Sequence, residues 1–499
     1  MAFLNICDFS YSYPGFQNLA LEKINLSLNQ GDFVVITGKS GCGKSTLGKA
    51  LAGFLFQEDE RNFSGKIIIG NSDMAEIPLY EAYEKVAYVQ QNPEDQFCTL
   101  SVIDEIAFGL ENLCLNPQII HKKIDQALGI VNGSHLKDRK LSTLSGGEKQ
   151  KVAIASLLAL SPDVLILDEP TSNLDPASTR TIFTTLHQIR NIQGLTVIIF
   201  EHKLSQLLEL NPILYELKEN MIVPLKQQQV SVLRNSNKIN HCNEIQDEYQ
   251  PSTEILINLN NVNITLGNKH ILKNIRFSLH QGEFIALMGA NGSGKSTLLL
   301  TIMGLLHQDS GSCVKFAYPN NQVSPSQLAK DIGFIFQNPD QQIFTQTVWD
   351  EITFTCRNLG LFSDQTQVEA EQWLLKLGLE DRKDDHPQRL SYGEKRRVNL
   401  ISAILHKPRV LLIDEMLVGQ DSQNAEFWMK FMKDYTKFGN SVILVNHHPD
   451  LTQAFCSRML FLSDGELIID SPIPLAFKQL SEMGFNSFLP QPILVEAHA

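Results

Sequence analysis

Short apolar runs recur along the chain in a fixed relation to polar loops. Phe33 to Ile36 and Phe284 to Met288 are uninterrupted and lead into glycine-rich loops. Val164–Leu167, Val197–Phe200, Val410–Ile413 and Val442–Val445 have the same character. Runs of this length without alternation suit parallel strands buried on both faces. Shorter strand patterns open each half, at Phe3 to Ile6 and Ile255 to Leu259. Helix-length segments lie between them, and strands alternating with such segments predict an α/β sheet. Val102, Ile106 and Leu110 recur at fourfold spacing, as do Val348, Ile352 and Cys356, each giving a helical apolar stripe. The longest apolar stretch, Val152 to Leu167, is broken by Ser161-Pro162-Asp163 and reads as helix, turn and strand. No uninterrupted run reaches the ~18 residues of a membrane span.

The pattern occurs twice. Gly38-Lys39-Ser40-Gly41-Cys42-Gly43-Lys44-Ser45-Thr46 and Gly289-Ala290-Asn291-Gly292-Ser293-Gly294-Lys295-Ser296-Thr297 both fit G-x-x-x-x-G-K-[ST]. Their lysines are offset by 251 (295 − 44). Gln91 and Gln337, Ser145 and Ser391, and Asp168 and Asp414 are each offset by 246, and His202 and His447 by 245. Five landmarks in one order at nearly one offset indicate two homologous domains, at 1–225 and 253–499. Between them, 226–252 is rich in Gln, Asn, Ser and Lys and reads as a polar linker.

Composition narrows the class. With 499 residues the chain exceeds the roughly 150 expected of one domain. A net charge of -13 argues against a broad nucleic-acid-binding face, which needs clustered Lys and Arg. The eight cysteines form no C-x-x-C pair, so a reducing compartment is expected and neither a disulfide framework nor a zinc site. The N-terminal MAFLNICDFSYSYPG lacks a basic region followed by an apolar core, and no signal peptide is read there.

The chemistry follows from the residue types. In each glycine loop the backbone amides can wrap phosphates, the lysine reaches the outer ones, and the serine hydroxyl (Ser45, Ser296) meets Mg²⁺. Ser145-Gly146-Gly147 opens a predicted helix, where unpaired amides and the helix dipole favour an anion. The strand pattern Val164–Leu167 ends in Asp168 and Glu169, and Val410–Ile413 in Asp414 and Glu415. Adjacent carboxylates suit a site where one serves Mg²⁺ and the next polarises water.

The ordered set of phosphate loop, glutamine, LSGGE, LILDEP, Asp175 and His202 resembles the nucleotide-binding domain of ATP-binding cassette (ABC) proteins, over nearly the whole chain. The resemblance implies two tandem P-loop ATPase domains of α/β class. Each would have a RecA-like mixed or parallel sheet core, an antiparallel β subdomain and a helical subdomain. It implies ATP and Mg²⁺ as cofactors. Glu169 and Glu415 match the family's general base, and His202 and His447 its switch histidine. Asp168 and Asp414 match the metal-side acid, and Gln91 and Gln337 the glutamine that senses metal and partner. Tyr13 falls where an aromatic stacks on adenine. In the family each ATP lies between one domain's phosphate loop and the other's signature. Lys44 and Glu169 would therefore share an ATP with Ser391 and Gly393, and Lys295 and Glu415 with Ser145 and Gly147. One polypeptide raises the effective concentration of that pairing. The halves differ: Tyr392 replaces a signature glycine, Leu266 lies near the position of Tyr13, and MLVGQD follows where the first half has PTSNLD. This predicts a weaker site where Lys44 meets Ser391.

Gln91-Asn92-Pro93 and Gln337-Asn338-Pro339, followed by VIDEIAFGLENL and VWDEITFTCRNL, are similar to the ATPases of energy-coupling factor (ECF) transporters and related cobalt importers. In that family this region receives helices from an integral-membrane coupling subunit, and a separate membrane subunit binds the vitamin, vitamin precursor or metal ion. The resemblance thus implies a peripheral ATPase on the cytoplasmic face of the cell (inner) membrane. It would touch neither nucleic acid nor the transported substrate. The alternatives are the ATPase of another importer class, such as one for sugars, and a soluble ABC translation factor acting on ribosomes. Those ribosome-acting proteins carry a long basic helical linker, which is missing here.

Overall fold

The computed structural model describes residues 2–14, 18–39, 41–56, 62–171, 174–202, 204, 206–225, 252–316, 323–417 and 422–490. The chain divides into two compact units, Met1–Asn237 and Lys238–Ala499. The polar stretch 226–251 lies outside the described residues, as does Ser40 of the first glycine loop.

The first unit runs β1 (Leu4–Tyr11), β2 (Leu21–Leu28), β3 (Phe33–Thr37), α1 (Lys44–Leu51), β4 (Phe63–Ile69), β5 (Ser72–Asp73), α2 (Leu79–Lys85), β6 (Val86–Val89), α3 (Val102–Asn112), α4 (Pro117–Ile130), α5 (Gly146–Leu158), β7 (Val164–Asp168), α6 (Pro176–Gln193), β8 (Thr196–Phe200), β9 (Ile213–Lys218) and β10 (Met221–Pro224). The second repeats it with β11 (Ile255–Leu266), β12 (Lys269–His280), β13 (Phe284–Gly289), α7 (Lys295–Met303), β14 (Ser310–Lys315), α8 (Pro325–Leu328), β15 (Ile332–Ile335), α9 (Val348–Asn358), α10 (Asp364–Lys376), α11 (Tyr392–Ile404), β16 (Val410–Ile413), α12 (Ser422–Lys437), β17 (Ser441–Val445), α13 (Pro449–Phe455), β18 (Arg458–Ser463), β19 (Glu466–Pro472) and α14 (Ile473–Glu482).

Among the described residues each unit has a six-stranded sheet, ordered β6-β7-β8-β3-β9-β10 in the first and β15-β16-β17-β13-β18-β19 in the second. Its pairs are parallel except the last, which is antiparallel. A smaller antiparallel sheet stands beside it, β2-β1-β4-β5 or β12-β11-β14. The uninterrupted apolar runs are explained by this layering. Phe33 and Val35 point into a core shared with α3–α6, while Val34 and Ile36 point into one shared with the antiparallel sheet and α1. β13 divides likewise, Phe284, Ala286 and Met288 from Ile285 and Leu287. A strand with a core on each side has no face on which to place polar residues. The Val152–Leu167 stretch is the end of α5, a turn and β7. Among the described residues no helix is long and apolar enough to cross a membrane.

Candidate active sites

In each unit the glycine loop leaves a central buried strand and enters a helix at its lysine, α1 at Lys44 and α7 at Lys295. Gly43 and Gly294 cap these helices with φ of 100° and 104°, where a side chain would be strained. A Cβ on Gly43 would also come 2.7 Å from the Ala20 carbonyl oxygen. The buried Lys44 donates to the carbonyls of Gly38 (2.9 Å) and Lys39 (3.1 Å), and Lys295 to those of Gly289 (3.1 Å) and Ala290 (2.9 Å). The loop is thus curled around its own ammonium, with helix amides at its exit, a ready anion cradle. Gly41 and Gly292, each at positive φ, have open space around the missing Cβ. Burial pushes the Cys42 thiol above its ordinary value against the pull of Lys44, so it remains protonated. The Tyr13 hydroxyl lies 3.0 Å from Thr46 Oγ1, which puts this half-exposed ring at the mouth of the loop.

Glu169 and Glu415 follow the ends of β7 and β16 at φ of 45° and 51°. A non-glycine residue held there stores on the order of 1 kcal/mol or more of backbone strain. Both carboxylates are buried and gripped the same way. Gln91 Nε2 donates to Glu169 Oε2 at 2.9 Å, and Gln337 Nε2 to Glu415 Oε2 at 2.8 Å. His447 Nε2 hydrogen-bonds Glu415 Oε1 at 3.0 Å. His202 Nε2 lies 2.7 Å from Glu169 Oε1 but out of line for a hydrogen bond. Lys44 Nζ is 3.9 Å from the same oxygen. Lysine, glutamine, two carboxylates and histidine therefore converge in each unit, as their order in the sequence predicts.

The preceding aspartates are buried beside the loop serines. Burial raises the Asp168 carboxyl against hydrogen bonds from Ser45 and Tyr88. Burial pushes Asp414 up to about 6, against a hydrogen bond from Ser296 and with the Glu415 charge adding to the rise. Asp414 Oδ1 and the Ser293 hydroxyl are buried without a hydrogen-bond partner. A buried carboxylate with an unpartnered oxygen, bonded to the Ser296 hydroxyl, is the hard-oxygen environment that fits Mg²⁺.

The signature segments open helices. Ser145 caps α5 and Ser391 caps α11, each in a reciprocal box with Glu148 or Glu394. Gly146 and Gly147 form the first turn of α5, as do Tyr392 and Gly393 in α11. The Tyr392 ring folds back along its own helix, 4.7 Å from the Arg396 guanidinium, which donates to its hydroxyl at 3.0 Å. That hydroxyl is 3.4 Å from the Gln337 carbonyl. The ring thus rests on its own unit, although it stays 46% exposed.

The apolar stripes are core, as a helical apolar stripe implies: Val102, Ile106, Leu110, Val348, Ile352 and Cys356 are all fully buried. Three other features escaped the sequence. The large apolar side chains that α3 and α9 expose are Phe108 (46%) and Phe354 (40%), at equivalent positions. Glu105 and Glu351 are buried, each accepting two backbone N–H groups and a threonine hydroxyl from the preceding loop, which carries the exposed Leu100 or Phe344. Glu201 is buried as well. It accepts the His202 N–H at 2.8 Å and the Thr171 hydroxyl at 2.6 Å, where the second unit has Asn446. A charged residue next to a histidine gives no sequence signal of burial.

The profile of the ABC transporter family matches residues 21–172 and 272–418, one match in each unit. The chain belongs to the ABC transporter family. It is 32% identical to the Bacillus subtilis (strain 168) protein YkoD, over 99% of this chain and 96% of that one. The name of that relative assigns it to HMP/thiamine import as an ATP-binding protein. An ABC transporter ATP-binding protein of Methanosarcina mazei is 30% identical over 97% of this chain and 91% of its own length. Among solved structures, CbiO1 of Clostridium perfringens, described as part of the ABC transporter complex CbiONQ, aligns over 46% of this chain and 96% of its own. The TM-score is 0.40 at 26% identity. This ABC protein is thus an ATP-binding ATPase coupled to transport, with one ATPase domain in each unit.

Proposed function

We propose that this ABC ATPase is the motor of an ECF-type importer for a vitamin, a vitamin precursor or a transition-metal ion. It would work on the cytoplasmic face of the cell (inner) membrane through a coupling subunit and a substrate-binding subunit. In this reading the two ATP sites are composite, Lys44 and Glu169 acting with Ser391 and Gly393, and Lys295 and Glu415 with Ser145 and Gly147. Glu169 and Glu415 take the proton from the attacking water. Gln91, Gln337, His202 and His447 hold those carboxylates in place. Mg²⁺, held by Ser45 and Asp168 with Gln91, or by Ser296 and Asp414 with Gln337, would supply charge neutralisation on the phosphates. Tyr13 would stack on adenine in the first unit.

The observation that carries the importer reading is the full-length similarity to a relative named for HMP/thiamine import, which favours a vitamin or its precursor. The matched exposure of Phe108 and Phe354 supports a docking face for membrane helices in both units. The test is affinity purification of the full chain from membranes, followed by reconstitution of the co-purified complex in proteoliposomes. The expected result is two integral-membrane partners and ATP-driven uptake of a vitamin-like solute or metal ion. Phe108→Asp and Phe354→Asp should lower partner recovery on the order of tenfold while basal ATPase of the isolated chain is retained. Recovery with ribosomes, or a complex that transports only sugars, would overturn the reading.

A further inference from the structure

The two metal-side aspartates have different surroundings. Tyr88, on β6, donates its hydroxyl to Asp168 Oδ2 at 2.8 Å across 80 residues of sequence, in a buried setting. The equivalent residue of the second unit is Phe334, on β15, which has no hydroxyl to give. Asp414 accordingly keeps one oxygen, Oδ1, buried and unpartnered. The difference extends into the packing. A Cβ on Gly48 of α1 would come 2.7 Å from Tyr88 Cε2 and 3.0 Å from Phe200 Cε2, so glycine there is the space the two rings need. The second unit has Leu299, Phe334 and Val445 in these places. One small residue with two large rings is exchanged for a leucine, one ring and a valine. The tyrosine thus belongs to a coordinated arrangement.

We propose that Tyr88 is a positioning residue that holds Asp168 in one orientation for the metal of the first unit, a role with no counterpart in the second. A buried carboxylate with one oxygen fixed by a donor has fewer orientations to lose when its other oxygen is engaged. Its geometry is set before the metal arrives. Asp414, with Ser296 as its side-chain donor among the described residues, must be ordered by the metal itself. The two units therefore hold divalent metal with nucleotide at different strengths, the first more tightly. A hydrogen bond to an ionised group sets the scale of that difference at roughly tenfold.

The inference rests on the reading that Asp168 and Asp414 serve the metal, and the test separates the two. Mn²⁺ binding to the full chain is titrated by electron paramagnetic resonance with a non-hydrolysable ATP analogue. Nucleotide affinity is measured in parallel in EDTA, and thermal melting monitors folding. Two classes of nucleotide-dependent Mn²⁺ site are expected, differing about tenfold. Tyr88→Phe should move the tight class onto the weak one while leaving metal-free nucleotide affinity and melting unchanged. The converse Phe334→Tyr should tighten the weak class. Equal Mn²⁺ classes in the native chain, an unchanged tight class in Tyr88→Phe, or an equal loss of nucleotide affinity in EDTA would overturn the positioning role. No nucleotide-dependent Mn²⁺ binding at all would refute the metal reading, and the inference with it. Should Tyr88→Phe melt early, the converse Phe334→Tyr decides: no tightening there overturns the proposal.

Discussion

The two units are built on one plan and differ where their catalytic carboxylates meet the core. Both hold a strained glutamate between a glutamine and a histidine with nearly the same distances. Around that centre the supports diverge. The first unit braces Asp168 with Tyr88 and anchors the backbone of His202 to Glu201, itself tied to Thr171. The second leaves Asp414 Oδ1 alone and has Asn446 bonded to Thr452 instead, at 3.0 Å. The residues that would act on ATP are thus duplicated, as are the glutamine and histidine beside each glutamate, whereas the supports of the aspartates and of the histidine backbone are not. Divergence after duplication is tolerated in the supporting shell because several packings can present the same few polar groups.

The largest expected effect tests whether the units differ in turnover. Glu169→Gln and Glu415→Gln should each reduce the affected site's ATP hydrolysis by roughly 10²–10⁴-fold while ATP still binds. Glu415→Gln, in the unit paired in our reading with the intact Ser145-Gly146-Gly147, should cause the greater overall loss in a steady-state assay. Equal losses would break the asymmetry, and near-native turnover in both would remove the assignment of the base.

Overfilling one unit and emptying the other should each destabilise it. Gly48→Ala forces a Cβ against Tyr88 and Phe200 and should destabilise the first unit by ~1–3 kcal/mol. Leu299→Ala empties a fully buried site and should destabilise the second by ~2–5 kcal/mol. Denaturant unfolding checks both, and a neutral Gly48→Ala would show that the glycine is not needed for the ring.

Both aspartates should make stability depend on pH without metal or nucleotide. Asp414 titrates at about 6 in the fold, well above an ordinary aspartate, so the folded state binds its proton more tightly than the unfolded chain does. Its favourable contribution is complete below pH about 4 and is lost as pH rises through about 6. Asp414→Asn should therefore stabilise the second unit above pH about 6, by up to about 3 kcal/mol, and do little below pH about 4. Asp168→Asn should act in the same direction in the first unit. Chemical denaturation at pH 8 and pH 4 measures this, and a pH-independent difference would contradict it.

The smallest effect concerns Tyr392. With its ring lying on Arg396 and its hydroxyl toward Gln337, Tyr392→Gly in the Glu415→Gln background should leave residual ATPase within about twofold, or raise it. A drop beyond that would give the ring an active part in the site.

Much of this protein was set by spacing alone. The glycine loops, the acidic strand ends and the histidines after β8 and β17 are local patterns, each needing a residue type at a fixed offset from a strand or helix. Their repetition at nearly one offset established the duplication and the α/β class without any structure. Ser145 was legible as a helix start; the capping boxes at Ser145 and Ser391 came with the structure. What the tertiary structure decided is of another kind. Whether Val102 and Ile106 face a partner or the core depends on what packs against α3, and the core took them. The bracing of Asp168 by Tyr88, and the bare Gly48 that makes room for it, join three elements far apart in sequence. Glu105, Glu201 and Glu351 look like surface acids until the loops that donate to them are folded into place. A hydrogen bond or a close contact is fixed by distance in space, and only chain folding converts an 80-residue separation into 2.8 Å.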